Sequence, residues 1–118
     1  MIKNYIDLEV YQMSYELAKE LYTKTLSFPR YTKYEIGGQI RRAALSIPMN
    51  IAEGYGRKDN VNEFKQYLRY AMGSANEVSV LLNFCKDFEY LGEEEYQALH
   101  NGYDVIGKKL NVMITNWK

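Results

Sequence analysis

Histidine, cysteine and paired carboxylates are the side chains that most often carry out chemistry, and this chain offers them few arrangements. His100 is the only histidine, and Asp104 follows four residues later. On a helix that spacing puts both on one face, within reach of a local hydrogen bond. A nucleophile–base–acid relay would need a serine from another segment, and no motif marks one. Cys85 is the only cysteine, which excludes an intrachain disulfide and any multi-cysteine zinc site. It falls on an apolar helical face and reads as core packing. Asn50 and Glu53 place polar groups inside a largely apolar run. A di-metal helical bundle needs Glu-x-x-His on two helices, and the chain has no such motif. Gly54-Tyr55-Gly56-Arg57-Lys58 is glycine-rich and basic. It lacks P-loop spacing and the terminal lysine–hydroxyl pair, so it reads as a helix end plus turn. The expectation is no enzyme activity, no cofactor and no metal.

Binding chemistry is better represented. There are 12 tyrosines. Tyr11, Tyr15 and Tyr22 fall in the first predicted helix, Tyr67 and Tyr70 in the third, Tyr96 and Tyr103 in the fourth. An apolar ring with a wet end suits bundle margins and subunit interfaces. The same ring stacks on unpaired bases. Interleaved with Arg41, Arg42, Arg57, Lys58, Lys65 and Arg69, the tyrosines permit a nucleic-acid-binding surface built from those six cations. Net charge is zero but uneven. Residues 30–69 carry eight basic and four acidic side chains, a net of +4, whereas residues 70–118 carry four and seven, a net of −3. That asymmetry permits an anion-binding face or head-to-tail electrostatic association.

With 118 residues, 47% of them apolar and 25% charged, the chain reads as one soluble domain spanning residues 1–118. No apolar stretch approaches membrane-spanning length, and the first residues lack a signal peptide's apolar centre. The single cysteine fits a reducing cytoplasm.

Four segments must position these groups. Asp7 stands where it would cap the first helix, whose stripe is Val10, Ser14, Leu17, Leu21 and Thr25. Phe28-Pro29 ends it, because proline disfavours helix in the residue before it. Thr32-Lys33-Tyr34-Glu35 has capping-box spacing, but Gly37-Gly38 weakens the start, so the second helix is expected from about Gly38 to Gly54 or Gly56. Asn60 to Glu63 repeats the box spacing and opens a third helix carrying Phe64, Tyr67, Leu68, Ala71, Ala75, Val78, Leu82 and Cys85. Gly92 and three glutamates open the fourth, with Tyr96, Leu99, Tyr103, Ile106, Leu110, Met113 and Trp117. Helices this long with short connections predict an antiparallel up-down-up-down four-helix bundle.

The second helix has two unusual properties. Pro48 sits inside it, lacking an N–H and crowding the Ala44 carbonyl, at a cost of about 3 kcal/mol in an ordinary helix interior. The apolar pattern continues beyond it, so the expectation is one kinked helix. The helix is also apolar on two sides. Ile36, Ile40, Ala43, Ala44, Ile47, Ile51 and Tyr55 form one arc, and Leu45, Pro48, Met49 and Ala52, with Arg41, form another. A surface helix of a monomer needs a wider polar face. Leu45, Pro48, Met49 and Ala52 are therefore the expected subunit interface.

The run from Gln39 to Arg57, with Glu63-Phe64, resembles the signature of the four-helix-bundle proteins encoded in intervening sequences of 23S ribosomal RNA. Leu8-Glu9-Val10-Tyr11, Phe28-Pro29, Gly73-Ser74 and Tyr90-Leu91-Gly92 fit the same pattern. The match covers nearly the whole chain. The superfamily also holds the accessory variability proteins of diversity-generating retroelements. The resemblance implies an antiparallel bundle assembled as a homopentamer without enzyme activity. For the retroelement branch it implies binding to nucleic acid and to a reverse transcriptase. This chain departs from the pattern at Gly37-Gly38, where a threonine or serine cap is commoner, and in its zero net charge. Two functions follow as expectations. One is a nucleic-acid-associated accessory protein that binds RNA or a nucleic-acid-processing protein. The other is a protein–protein assembly scaffold, which the neutral charge favours.

Overall fold

A computed structural model describes residues 1–118. Four long helices form the bundle: α1 (Glu9–Leu26), α3 (Ile36–Tyr55), α4 (Val61–Asp87) and α5 (Glu93–Asn116). The short α2 (Arg30–Tyr34) links α1 to α3, a 3-10 turn at Tyr5–Asp7 precedes α1, and there is no strand. The molecule is a rod of 45 × 21 × 21 Å. Helix α1 packs on α3, α3 on α4 and α4 on α5, and α1 meets α5 to close the set. Two ion pairs join α1 to α5, Lys24–Glu95 at 2.7 Å and Glu9–Lys109 at 2.6 Å. They set the end of each helix beside the start of the other.

The core follows the apolar spacing. Twenty-four buried residues, from all four long helices and from Leu8, Phe28 and Leu91 beside them, make one cluster. Val10, Leu21, Ile40, Ile47, Ile51, Phe64, Leu68, Val78, Leu82, Leu99, Tyr103, Ile106 and Leu110 are all buried. Full burial of such side chains stabilises by roughly 1.5–3 kcal/mol each before conformational entropy is counted. Helix α3 runs unbroken through Pro48, whose ring is buried. Asn60 caps α4 as its spacing predicts, its side chain accepting from the Glu63 N–H at 3.1 Å.

Two helix starts differ from the sequence expectation. Asp7 does not cap α1. Its carboxylate accepts from the Lys3 and Asn4 N–H groups at 2.9 and 3.2 Å and closes the 3-10 turn, while Leu8 precedes α1 with no side-chain cap. Thr32 and Glu35 do not open the second long helix either. Thr32 lies within α2, its hydroxyl donating to the Pro29 carbonyl at 2.8 Å, and α3 begins directly at Ile36. Gly37 lies inside α3 for a packing reason. A Cβ on Gly37 would stand 3.1 Å from the Thr32 carbonyl and 3.2 Å from the Arg41 guanidinium. Tertiary contact overrides the weak helix propensity of glycine here.

Candidate functional site

The side of α3 away from α4 carries a groove. Tyr5, Tyr11, Tyr15, Ala18, Lys19 and Tyr22 line one wall, and Leu45, Pro48, Met49 and Ala52 line the other, around a volume of about 310 Å³. All four residues singled out as an interface therefore meet in one place. They occupy different depths: Pro48 is buried, Ala52 is half-buried, and Leu45 and Met49 are 44% and 64% exposed. Tyrosine supplies the opposite wall because it recurs on α1 at positions 11, 15 and 22, spacings that return to one helical face. The rings form a chain, Tyr5 to Tyr11 at 5.0 Å and Tyr11 to Tyr15 at 5.8 Å between centroids. Burial, and then the neighbouring phenols of Tyr5 and Tyr15, push the Tyr11 hydroxyl above its ordinary pKa. It stays a neutral phenol. Contiguous exposed apolar area rimmed by polar atoms is the kind of surface at which proteins dock partners or ligands.

The six basic residues do not form one patch. Arg41 and Arg42 lie on the first half of α3, Arg57 and Lys58 follow its end about 20 Å along the bundle, and Lys65 and Arg69 lie on α4. Arg41 turns inward. Its guanidinium donates to the Thr25 hydroxyl at 2.9 Å and the Lys33 carbonyl at 2.8 Å, and it lies 5.6 Å from the Tyr22 ring centre. It ties α1, α2 and α3 together. Arg42 is exposed and makes no ion pair, so the inward member of the pair is Arg41. The helical phase that groups Arg41 with Leu45 and Pro48 carries that signal.

The remaining four follow α3 along the chain, Arg57 and Lys58 in the α3–α4 turn and Lys65 and Arg69 on the first three turns of α4. Arg57 is held by Glu53 at 2.8 Å and Glu63 at 3.1 Å and stacks 4.8 Å from Tyr67. Lys58 lies 4.4 Å from the Tyr55 ring centre. Lys65 is half-buried, and Arg69 reaches Gln66 at 3.4 Å. Tyr67 and Tyr70 meet edge to face at 5.6 Å, and Tyr70 is exposed. At the turn, Arg57 and Lys58 pack on aromatic rings, while Glu53, Asp59 and Glu63 offset much of the charge.

The other polar groups stand in local pairs or in the core. His100 and Asp104 are 3.5 Å apart on α5, and the His100 ring packs on Tyr96. Asn50 donates to the Ser46 carbonyl and hydroxyl, and Ser46 meets Ser74 across α3 and α4 at 2.9 Å. Burial pushes the Cys85 thiol up to about 11, suppressing the thiolate that reactivity requires. Tyr103 is buried with an unpartnered hydroxyl, and burial raises its pKa too. No three His, Cys, Asp or Glu side chains are grouped to hold a metal ion. No helix is long and apolar enough to cross a membrane. A further surface feature is an exposed apolar run formed by Val80 and Phe84 on α4 and Phe88 at its C-cap. Its spacing of four is visible in the sequence.

Fold and surfaces together define a four-helix-bundle protein organised around an open apolar groove. Residues 6–112 match the family described as 23S rRNA-intervening sequence protein, and the chain belongs to that family. It is similar in structure to a protein of unknown function of the S23 ribosomal protein family from Bacteroides thetaiotaomicron. That likeness has a TM-score of 0.79 at 27% identity and covers 89% of this chain and 97% of the other. No curated protein matches the chain.

Proposed function

We propose that the protein is a non-enzymatic, self-assembling bundle, a homo-oligomer whose subunits meet through the α1–α3 groove. The observation that supports this most is the exposure of Leu45 and Met49 beside the tyrosine wall. Apolar area left in water on both walls of a groove is covered with a gain of roughly 25 cal/mol per Å². The family resemblance puts the number of subunits at five, and the buried single thiol fits the cytoplasm. Light scattering at micromolar concentration tests the assembly. The expected mass is a multiple of 13.9 kDa, and Met49→Glu returns it to one subunit by burying an unpaired charge. A wild-type mass near 13.9 kDa overturns the reading.

On this assembly we place a nucleic-acid-associated accessory role of the ribosomal intervening-sequence type. The specific observation behind it is the pairing of cations with aromatic rings at the α3–α4 turn, Arg57 on Tyr67 and Lys58 on Tyr55, with Lys65 and Arg69 further along α4. Cyclic repetition turns weak contacts into avidity. Binding is expected to be sequence-tolerant and to fall steeply between about 50 and 200 mM salt. Lys58→Glu with Arg69→Glu is the chosen variant, because Arg57 is committed to Glu53 and Glu63. A mobility-shift titration with structured and single-stranded RNA is the test. No shift at tens of micromolar protein leaves an assembly scaffold without a nucleic-acid partner.

A further inference from the structure

The link between α1 and α3 is more elaborate than joining two helices requires. Helix α2 packs chiefly on α3 and buries none of its five residues, so it adds nothing to the core. It is nevertheless held in place, because Arg41 donates to the Lys33 carbonyl at 2.8 Å. What this fixed helix displays is two tyrosines. Tyr31 is 80% exposed and Tyr34 is 73% exposed, whereas no other Tyr, Phe or Trp side chain exceeds 54%. Three residues apart on a helix, the two rings are neighbours on one face.

Charge singles out the same place. Residues 30–42 carry four cations, Arg30, Lys33, Arg41 and Arg42, and one carboxylate, Glu35. None of the four cations is in an ion pair, whereas Lys19, Lys24, Arg57 and Lys109 all are. Arg30 is exposed, and the Lys33 ammonium lies 5.9 Å from the Tyr34 ring centre. The partners of Arg41 are neutral oxygens and a ring, which leave its charge uncancelled. Arg42 turns back towards it. One point, the place of a Cβ on Gly38, is 3.5 Å from an Arg42 nitrogen and 3.9 Å from an Arg41 nitrogen. Two guanidinium groups brought together without a carboxylate make a positive centre suited to phosphate.

Uncovered rings and cations without counter-ions on one fixed element match an unpaired nucleic-acid strand. Such a strand offers base faces to the rings and phosphates to the cations. A duplex offers the phosphates but keeps its base faces stacked. We propose that α2 and the start of α3 form a second nucleic-acid contact, selective for an unpaired strand, with bases stacked on Tyr31 and Tyr34 and phosphates held by Arg30, Lys33 and Arg42. This rests on the nucleic-acid reading above and adds the class of strand. The contact stands at the opposite end of the 20-residue α3 from Arg57 and Lys58, about 30 Å away.

Fluorescence anisotropy of the full chain at low salt tests this, with labelled oligouridylate and a labelled RNA duplex as probes. Tyr31→Ala with Tyr34→Ala is expected to weaken oligouridylate binding about 20-fold, since each stacked base is worth roughly fivefold or more, and to leave duplex binding within about twofold. Both rings stand in solvent, so thermal unfolding of this variant should match the wild type. Arg42→Ala is expected to weaken both probes and to lower the salt dependence, as loss of a phosphate contact does. Oligothymidylate is expected to bind as oligouridylate does, because neither ring nor guanidinium reads the 2′-hydroxyl. Oligouridylate binding that survives loss of both tyrosines overturns the assignment of α2. If Lys58→Glu with Arg69→Glu then abolishes it, the reading at the α3–α4 turn stands alone. An equal loss on duplex and single strand overturns the stacking. Binding to phosphatidylserine vesicles but to neither RNA probe overturns it in favour of a membrane surface. No binding of the wild-type chain to any probe removes the nucleic-acid reading itself and this contact with it.

Discussion

Helix α3 has two long neighbours and meets them in opposite ways. Against α4 the contact is closed. Gly54 lets the helices approach until a Cβ there would stand 2.6 Å from the Tyr67 Cβ, and Ser46, Ser74, Ala71 and Ala75 keep the rest of the seam small. Against α1 the contact is split. Tyr11, Tyr15 and Tyr22 stand along it and leave about 310 Å³ open to solvent. One helix thus has a closed side and an open side, and residue size at the contact decides which is which. Interiors pack to crystal-like density, so a large ring that cannot interdigitate holds its neighbour away.

The closed side should show the largest effect of substitution. Gly54→Leu should cost about 3 kcal/mol, because the new side chain meets Tyr67 and Phe64 with no room to relax. Chemical denaturation reads this directly, and a change below about 0.5 kcal/mol would show that the α3–α4 approach is not tight. On the split side, Arg41→Ala should cost about 2 kcal/mol by removing two charge-assisted bonds that tie α1 and α2 to α3. Arg42→Ala, one residue on, should stay within about 0.5 kcal/mol. Equal effects at the two arginines would overturn the inward assignment of Arg41.

Ser74→Ala sharpens the comparison at about 1 kcal/mol, since the Ser46 hydroxyl loses its partner across the seam. The smallest effect belongs to the α1–α5 contact, where Lys24 and Glu95 pair near the surface. The hydrogen bond from Lys24 comes first in lowering the Glu95 pKa, followed by the bond from the Gly92 N–H. The same bond raises the pKa of Lys24. A lowered carboxylate pKa means stability present above its unfolded value near 4.3 and lost as pH falls through the folded one. The raised lysine contributes below about pH 10.4 and loses its part as pH rises through its folded pKa. Solvent screening limits Glu95→Gln to a few tenths of a kcal/mol, read as a slightly shallower acid limb in thermal unfolding.

The long helices and the buried stripe were legible because periodicity reports angle around a helix axis directly. Phe64, Leu68, Val78, Leu82, Leu99, Tyr103, Ile106 and Leu110 are buried as their spacing predicts. The starts of α1 and α3 were not. Asp7 and Thr32 carry cap chemistry, yet each satisfies a nearer turn, the 3-10 turn before α1 and the short α2. Several backbone groups compete for one short side chain, and sequence spacing does not rank them. The candidate site divides the same way. Leu45, Pro48, Met49 and Ala52 were legible as a second apolar side of one helix, whereas the six cations were read as one set and lie in separate places.

By itself the sequence determined four amphipathic helices, their inward faces and, through the Gln39–Arg57 run, the family. Those properties depend on each residue's place around its own helix. The tertiary structure alone decided that Arg41 and not Arg42 is bound, that Pro48 is buried while Met49 stands open, and that α3 closes on α4 but leaves a groove beside α1. Each of these depends on the distance between two helices. That distance is set by the combined bulk that both bring to their contact, which periodicity along one chain segment does not contain.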